Sequence, residues 1–213
     1  DYTIDKENNA IYKGISSIKY CNVQIANELL ELSHNKYETF TDLLKDIKEK
    51  TSLNSKQLTI LVALNYFEAF GANSYLLKVV DIYDKFSTVK VISKNKIESL
   101  GISEYLMSKY AAKETKSQYR EIDNEGLIKE LCHKIENKPL SISEQIKFEV
   151  EYLGYPTYTN SDIADYYYIV TAFEQYKEAS RPYFTLYNLK TWESVKSNSN
   201  QGKIYKESPF GLY

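Results

Sequence analysis

"IYKGISSIKYCNVQIANELLEL" (11–32) carries the pattern that decides the fold. After Gly14, Ile15 and Ile18 fall three residues apart. Val23, Ile25, Ala26, Leu29, Leu30 and Leu32 then form a second apolar run at helical spacing. Between the two runs, Lys19-Tyr20-Cys21-Asn22 interrupts the pattern, so the spacing predicts helix, tight turn, helix. A short turn opening onto a helix exposes backbone N–H groups at the positive end of the helix dipole. A phosphate can sit there without help from any particular side chain.

Upstream, residues 1–13 read as extended, with Ile4 and Ile11 as anchors. Downstream, Phe40, Leu43, Leu44 and Ile47 give a third helix that Thr39 or Thr41 can cap. Asn54 or Ser55 caps the next, carrying Leu58, Ile60, Leu61, Val62 and Leu64 and ending near Phe67–Gly71. A further helix starts near Asn73 and runs through Tyr83. Residues 87–140 are lysine-rich and less periodic, with helices expected over Ile102–Ala112 and Leu127–Ile135. Ser141 or Ser143 caps a helix that Gly154 stops and Pro156 keeps from resuming. Tyr166–Tyr176 and Tyr183–Val195 alternate aromatic and β-branched residues and read as strands, and Ile204–Tyr213 opens another. The expected class is α+β, mainly helical and then β-rich. The expected domains are 1–86, a helical connector 87–160, and 161–213.

Composition bounds the function. The chain has 213 residues, 43% hydrophobic and 26% charged, as globular domains do. No stretch approaches the ~20 apolar residues of a membrane span. Asp1–Ala10 is polar and acidic, which is not a signal-peptide pattern, and two cysteines make no disulfide framework. A reducing cytoplasm is the expected setting. The chain opens at Asp1 and its single methionine is Met107, which reads as a piece of a longer protein. Net charge is -2, unlike most free-standing DNA-binding domains, so binding would depend on a local basic patch. Lys, Asn, Ile and Tyr are all abundant, as AT-rich coding produces. That accounts for most of the 21 tyrosines without a stacking role.

Catalytic constellations are not found. The two histidines are His34 and His133, and the adjacent Cys132-His133 pair is poor geometry for shared metal ligation. Seven scattered glycines give neither a phosphate loop nor a nucleophile elbow. Neither catalytic residue, metal ligand nor cofactor is expected in this segment.

In this order the motifs resemble bacterial DNA polymerase III alpha subunits. Residues 11–32, "FTDLLKDI" (40–47) and "LNSKQLTILVALNYFEAFGANSYLL" (53–77) look like that family's tandem helix-hairpin-helix region. "SEQIKFEVEYLGYP" (143–156) resembles the helix leading to its OB-fold. "YYIVTAFEQYK" (167–177) and "RPYFTLYNLKTWESVK" (181–196) resemble the first OB strands. The resemblance implies a nucleotidyltransferase parent whose catalytic carboxylates lie outside this segment. It also implies a tandem hairpin domain followed by a partial OB-like β-barrel. Hairpin contacts to DNA fall on Lys19, Asn22, Val23, Gln24 and Lys56, and on Gly71, Ala72, Asn73, Ser74 and Lys78. Single-strand contacts fall on Tyr168, Phe173, Lys177, Arg181, Tyr183, Tyr187 and Lys190. Tyr183 and Phe184 cannot both face the same way, because strand side chains alternate.

The implied partners are double-stranded or primer–template DNA, single-stranded DNA and replisome proteins, with no membrane. Two departures stand out. Tyr20-Cys21-Asn22 replaces the family's Gly-hydrophobic-Gly, and Ser74 replaces an arginine. Tyr20 brings bulk where the family leaves room for phosphate, so the second hairpin is the stronger candidate. Asn22 tolerates a left-handed backbone and can keep the first turn. The departures also favour an alternative reading, a non-catalytic replisome interaction module with degenerate hairpins. A third reading is a stand-alone nucleic-acid binder.

Overall fold

The computed structural model describes residues 2–5, 10–162, 164–165, 167–174 and 182–198. It is a mixed α+β protein of two compact units. One comprises 1–33, 52–66 and 140–213, the other 34–51 and 67–139. These units interleave along the chain, so they do not address the sequential domain boundaries expected at 86 and 160.

In the first unit, strands β1 (Tyr2–Asp5) and β2 (Ala10–Lys13) pair antiparallel. A 3-10 turn (Ile15–Ser17) stands where the Ile15/Ile18 spacing predicts a helix, and α1 (Val23–Ser33) follows. The unit's next helix, α3 (Ser55–Ala63), starts at a reciprocal cap. Asn54 accepts from Gln57 N, and the Gln57 side chain returns to Asn54 N. Leu58, Ile60, Leu61, Val62 and Ala63 are all buried, which explains why this run has little polar face.

Further along, α8 (Ile142–Tyr152) begins with the same box, Ser141 with Glu144. It packs on a three-stranded antiparallel sheet, β6 (Tyr168–Glu174), β7 (Tyr183–Asn188) and β8 (Ser194–Asn198), in the order β6-β7-β8. Ile146, Ile169, Tyr187 and Leu189 form the core between helix and sheet, with Ile142, Val150 and Tyr158 against it. A register shift between Val170 and Ala172 bends β6. Among the described residues this sheet is a meander, and a closed barrel is not seen. The strand expected over Ile204–Tyr213 lies outside the described residues.

In the second unit, Thr39 and Asp42 box the start of α2 (Phe40–Lys50). Phe40 meets Phe67 and Phe70 at ring-centroid distances of 5.5 and 5.7 Å. A 3-10 turn (Glu68–Phe70) leads into α4 (Asn73–Phe86), which packs between α2 and α7 (Asn124–His133). Leu44, Ile47, Leu76, Val79 and Leu127 fill the interior.

The connector expected to be helical contains a sheet. Strands β3 (Val91–Ser93), β4 (Ala111–Glu114) and β5 (Gln118–Ile122) pair antiparallel in the order β3-β5-β4. Helices α5 (Lys94–Ser99) and α6 (Glu104–Tyr110) lie between β3 and β4. The helix expected over Ile102–Ala112 therefore stops at Tyr110. Ala111 and Ala112 favour helix intrinsically, but pairing with β5 takes them into a strand.

Candidate nucleic-acid interface

The first hairpin is built from the turn up. Ser17 bonds back to the Gly14 carbonyl through both its N–H (3.0 Å) and its hydroxyl (2.6 Å). Ile18 is buried, and Cys21 N closes the turn on the Ile18 carbonyl at 3.0 Å. Asn22 then caps α1, its Oδ1 accepting from Ile25 N at 2.9 Å. A capping residue keeps an extended backbone, so the left-handed position moves elsewhere. It falls on Tyr20, with φ of 72°. This corrects the expectation that Asn22 supplies the left-handed residue.

A non-glycine residue held there costs roughly 1–2 kcal/mol, which contacts around Tyr20 must offset. Gln57 Nε2 donates to the Tyr20 carbonyl at 2.8 Å. The Tyr20 ring meets Tyr152 edge-on at 6.3 Å. Lys56 Nζ lies 3.7 Å from the ring centroid and Lys19 Nζ lies 5.3 Å away. The ring stays half exposed, so instead of plugging the turn it gathers two cations beside it. Val23 and Gln24 are exposed at the start of α1, and their N–H groups meet no acceptor among the described residues. The Gln24 side chain donates to Glu28 at 2.7 Å.

The second hairpin is more closed. Gly71 has φ of 144° and ψ of 179°, a region that side-chain-bearing residues avoid. Ala72 N donates to Asn137 Oδ1 at 2.8 Å, and Ser74 N donates to Asn73 Oδ1 at 2.9 Å. The Asn73 side chain is buried. Lys78 is exposed and helps hold the Glu136 carboxyl below its usual range, behind the stronger hydrogen bond from Lys138. So two N–H groups of this turn, at the implied contact residues Ala72 and Ser74, already have partners. Asn137, absent from the sequence-based site, supplies the first of these from 65 residues away. No sequence pattern links the two.

On the β6-β7-β8 sheet the single-strand contacts divide. Tyr183 is exposed and Phe184 buried, as alternation requires. Tyr168 is half-buried, and Phe173 packs on Phe184 at 5.4 Å. Tyr187 is a core residue whose hydroxyl donates to the Tyr158 carbonyl at 3.2 Å, which removes it as a stacking surface. Lys190 pairs with Asp165 at 2.8 Å. Lys177 and Arg181 lie outside the described residues.

Among the described residues no group of three or more His, Cys, Asp or Glu could hold a metal ion, and no helix is long and apolar enough to cross a membrane. Cys132 is buried, and desolvation pushes its thiol up to about 11. At pH 8 roughly 0.1% would then be thiolate, against about a quarter for a free cysteine. Iodoacetamide should accordingly modify Cys132 at least ~100-fold more slowly in the folded protein than after denaturation. A mass-spectrometric time course checks this, and equal rates would contradict the buried placement.

The helix-hairpin-helix motif family matches residues 1–75. No curated protein and no solved structure matches the chain. The match covers both hairpin turns described above, and it supports nucleic-acid binding as the class of function.

Proposed function

We propose that the chain binds DNA by its phosphates through the first hairpin. In this reading it is a cytoplasmic, non-catalytic part of a DNA polymerase III alpha-like replicative polymerase. The helix-hairpin-helix match over residues 1–75 is the observation that carries it. The geometry of the first turn supports it: an 11-residue helix opens there, flanked by Lys19 and Lys56. Contacts to backbone alone would make the grip independent of sequence and sensitive to salt. Primer–template duplex is the partner that suits such a role. The β6-β7-β8 sheet, with Tyr183 exposed, would face single-stranded template or a replisome protein. The interaction-module alternative draws on the second hairpin, where Asn137 takes the Ala72 N–H.

Binding to duplex, single-stranded and primer–template DNA across a salt series tests the proposal. Lys19→Glu/Lys56→Glu should weaken duplex binding about 10-fold and flatten the salt slope by about two. Failure of the wild type to bind any of the three at ~50 mM salt would sink it.

A further inference from the structure

Residues 87–123 lie outside the helix-hairpin-helix match and hold a different arrangement. Strand β3 leads straight into α5. Leu100, Gly101, Ile102 and Ser103 connect α5 to α6. Strand β4 follows α6 without a linker and turns back as β5, which pairs with both β3 and β4. Two helices joined by a four-residue, glycine-containing turn make a helix–turn–helix unit. Gly101 takes φ of 68° in that turn, and Ser103 caps α6 by accepting from Leu106 N.

The hairpin is tied to both helices. Glu114, at the end of β4, accepts from Lys94 Nζ at the start of α5 (2.5 Å) and from Ser108 Oγ on α6 (3.0 Å). Lys94 N also donates to the Ser117 carbonyl at the hairpin tip, at 2.9 Å. Helix α6 has two distinct faces. Leu106 and Met107 are buried, whereas Tyr105, Ser108 and Lys109 are exposed at i, i+3 and i+4, with Tyr105 83% exposed.

Charge selects the partner. Between residues 87 and 123, seven Lys and Arg stand against five Asp and Glu, in a chain whose net charge is -2. Lys96 and Lys116 are exposed and have no ion-pair partner among the described residues. The exposed large apolar side chains of this stretch, Tyr105 and Val91, are too few to anchor a protein interface. A helix such as α6 is about 10–12 Å across with its side chains, which matches the ~12 Å width of a DNA major groove.

We propose that α6 and the β4–β5 hairpin form a second nucleic-acid-binding element, which takes duplex DNA. Tyr105 faces the groove, and Lys96 and Lys116 meet phosphates. The element is independent of the first hairpin.

The test uses the full chain and a ~20-bp duplex of random sequence followed by fluorescence anisotropy at ~50 and ~150 mM salt. Lys96→Glu/Tyr105→Ala/Lys116→Glu should weaken binding at least ~10-fold and lower the salt slope by about two. Circular dichroism reports whether the variant folds. Amide shift mapping of the wild type with the same duplex stands apart from any variant and should place perturbations within residues 94–118. Unchanged affinity in the triple variant would overturn the proposal, and if Lys19→Glu/Lys56→Glu still weakens binding, the first-hairpin reading survives. A map that leaves residues 94–118 unperturbed would overturn it too, as would absence of wild-type binding.

Discussion

Glu149→Ala should lower the unfolding free energy by about 3 kcal/mol. Glu149 is buried on α8, and its carboxyl group anchors the chain that follows. One oxygen accepts from Thr157 N at 2.5 Å and Tyr158 N at 3.1 Å, and the other accepts from Gln145 Nε2 at 3.0 Å. Its main-chain carbonyl accepts from Leu153 N at 2.8 Å and Gly154 N at 3.2 Å. One residue therefore both ends the helix and fixes the bend beyond it. Gly154, with φ of 88°, allows the bend. The anchored segment reaches the sheet, because the Tyr158 carbonyl accepts from the Tyr187 hydroxyl.

Alanine would remove the charged acceptor that Thr157 N and Tyr158 N share, where such hydrogen bonds are worth about 1.5–3 kcal/mol each, and would open a void where the buried carboxyl group sits. Glu149→Gln keeps an acceptor oxygen and should cost about 1 kcal/mol. Urea unfolding monitored by far-UV circular dichroism measures both. An alanine variant within ~0.5 kcal/mol of wild type would show that the bend is held by something else.

Gly71→Ala should cost a similar amount, about 3 kcal/mol, through backbone strain and collision. At φ of 144° a side chain is strained wherever it points. A Cβ here would also stand 2.9 Å from Tyr75 Cδ1 and 3.3 Å from Asn137 Oδ1. The Tyr75 ring would have to move, and with it the carboxamide that holds Ala72 N. In a protein of this size the melting temperature should fall by roughly 6–12 °C. Asn137→Ala removes the acceptor without straining the backbone and should cost only about 1 kcal/mol. A calorimetric scan separates the two. Equal losses for both variants would mean that the hydrogen bond, and not the glycine conformation, sets the stability of this turn.

The sequence was most informative where the physics is local. Thr39, Asn54 and Ser141 cap their helices because each is followed three residues later by Asp42, Gln57 or Glu144, and a capping box needs only its own first turn. Gly154 ends α8 for an equally local reason. The alternation that separates Tyr183 from Phe184 follows from the pleat of one strand.

Local rules failed where distant segments compete for the same residue. Asn22 could have served as cap or as left-handed residue. The α1 N–H groups claimed it as a cap, and Tyr20, held by Gln57 from α3, took the left-handed turn. Ala111–Glu114 has helical propensity and is a strand because β5 lies beside it. Three strands of three to five residues are too short to show alternation, so the sheet at 91–122 left no periodic trace. Tyr187 looked like a stacking aromatic until the face of β7 against α8 was known. The sequence by itself determined the hairpin turns and the helices they open. Tertiary structure decided which of those turns still has N–H groups to offer, because a donor is spent or available according to what the rest of the chain brings to it, as Asn137 does at Ala72.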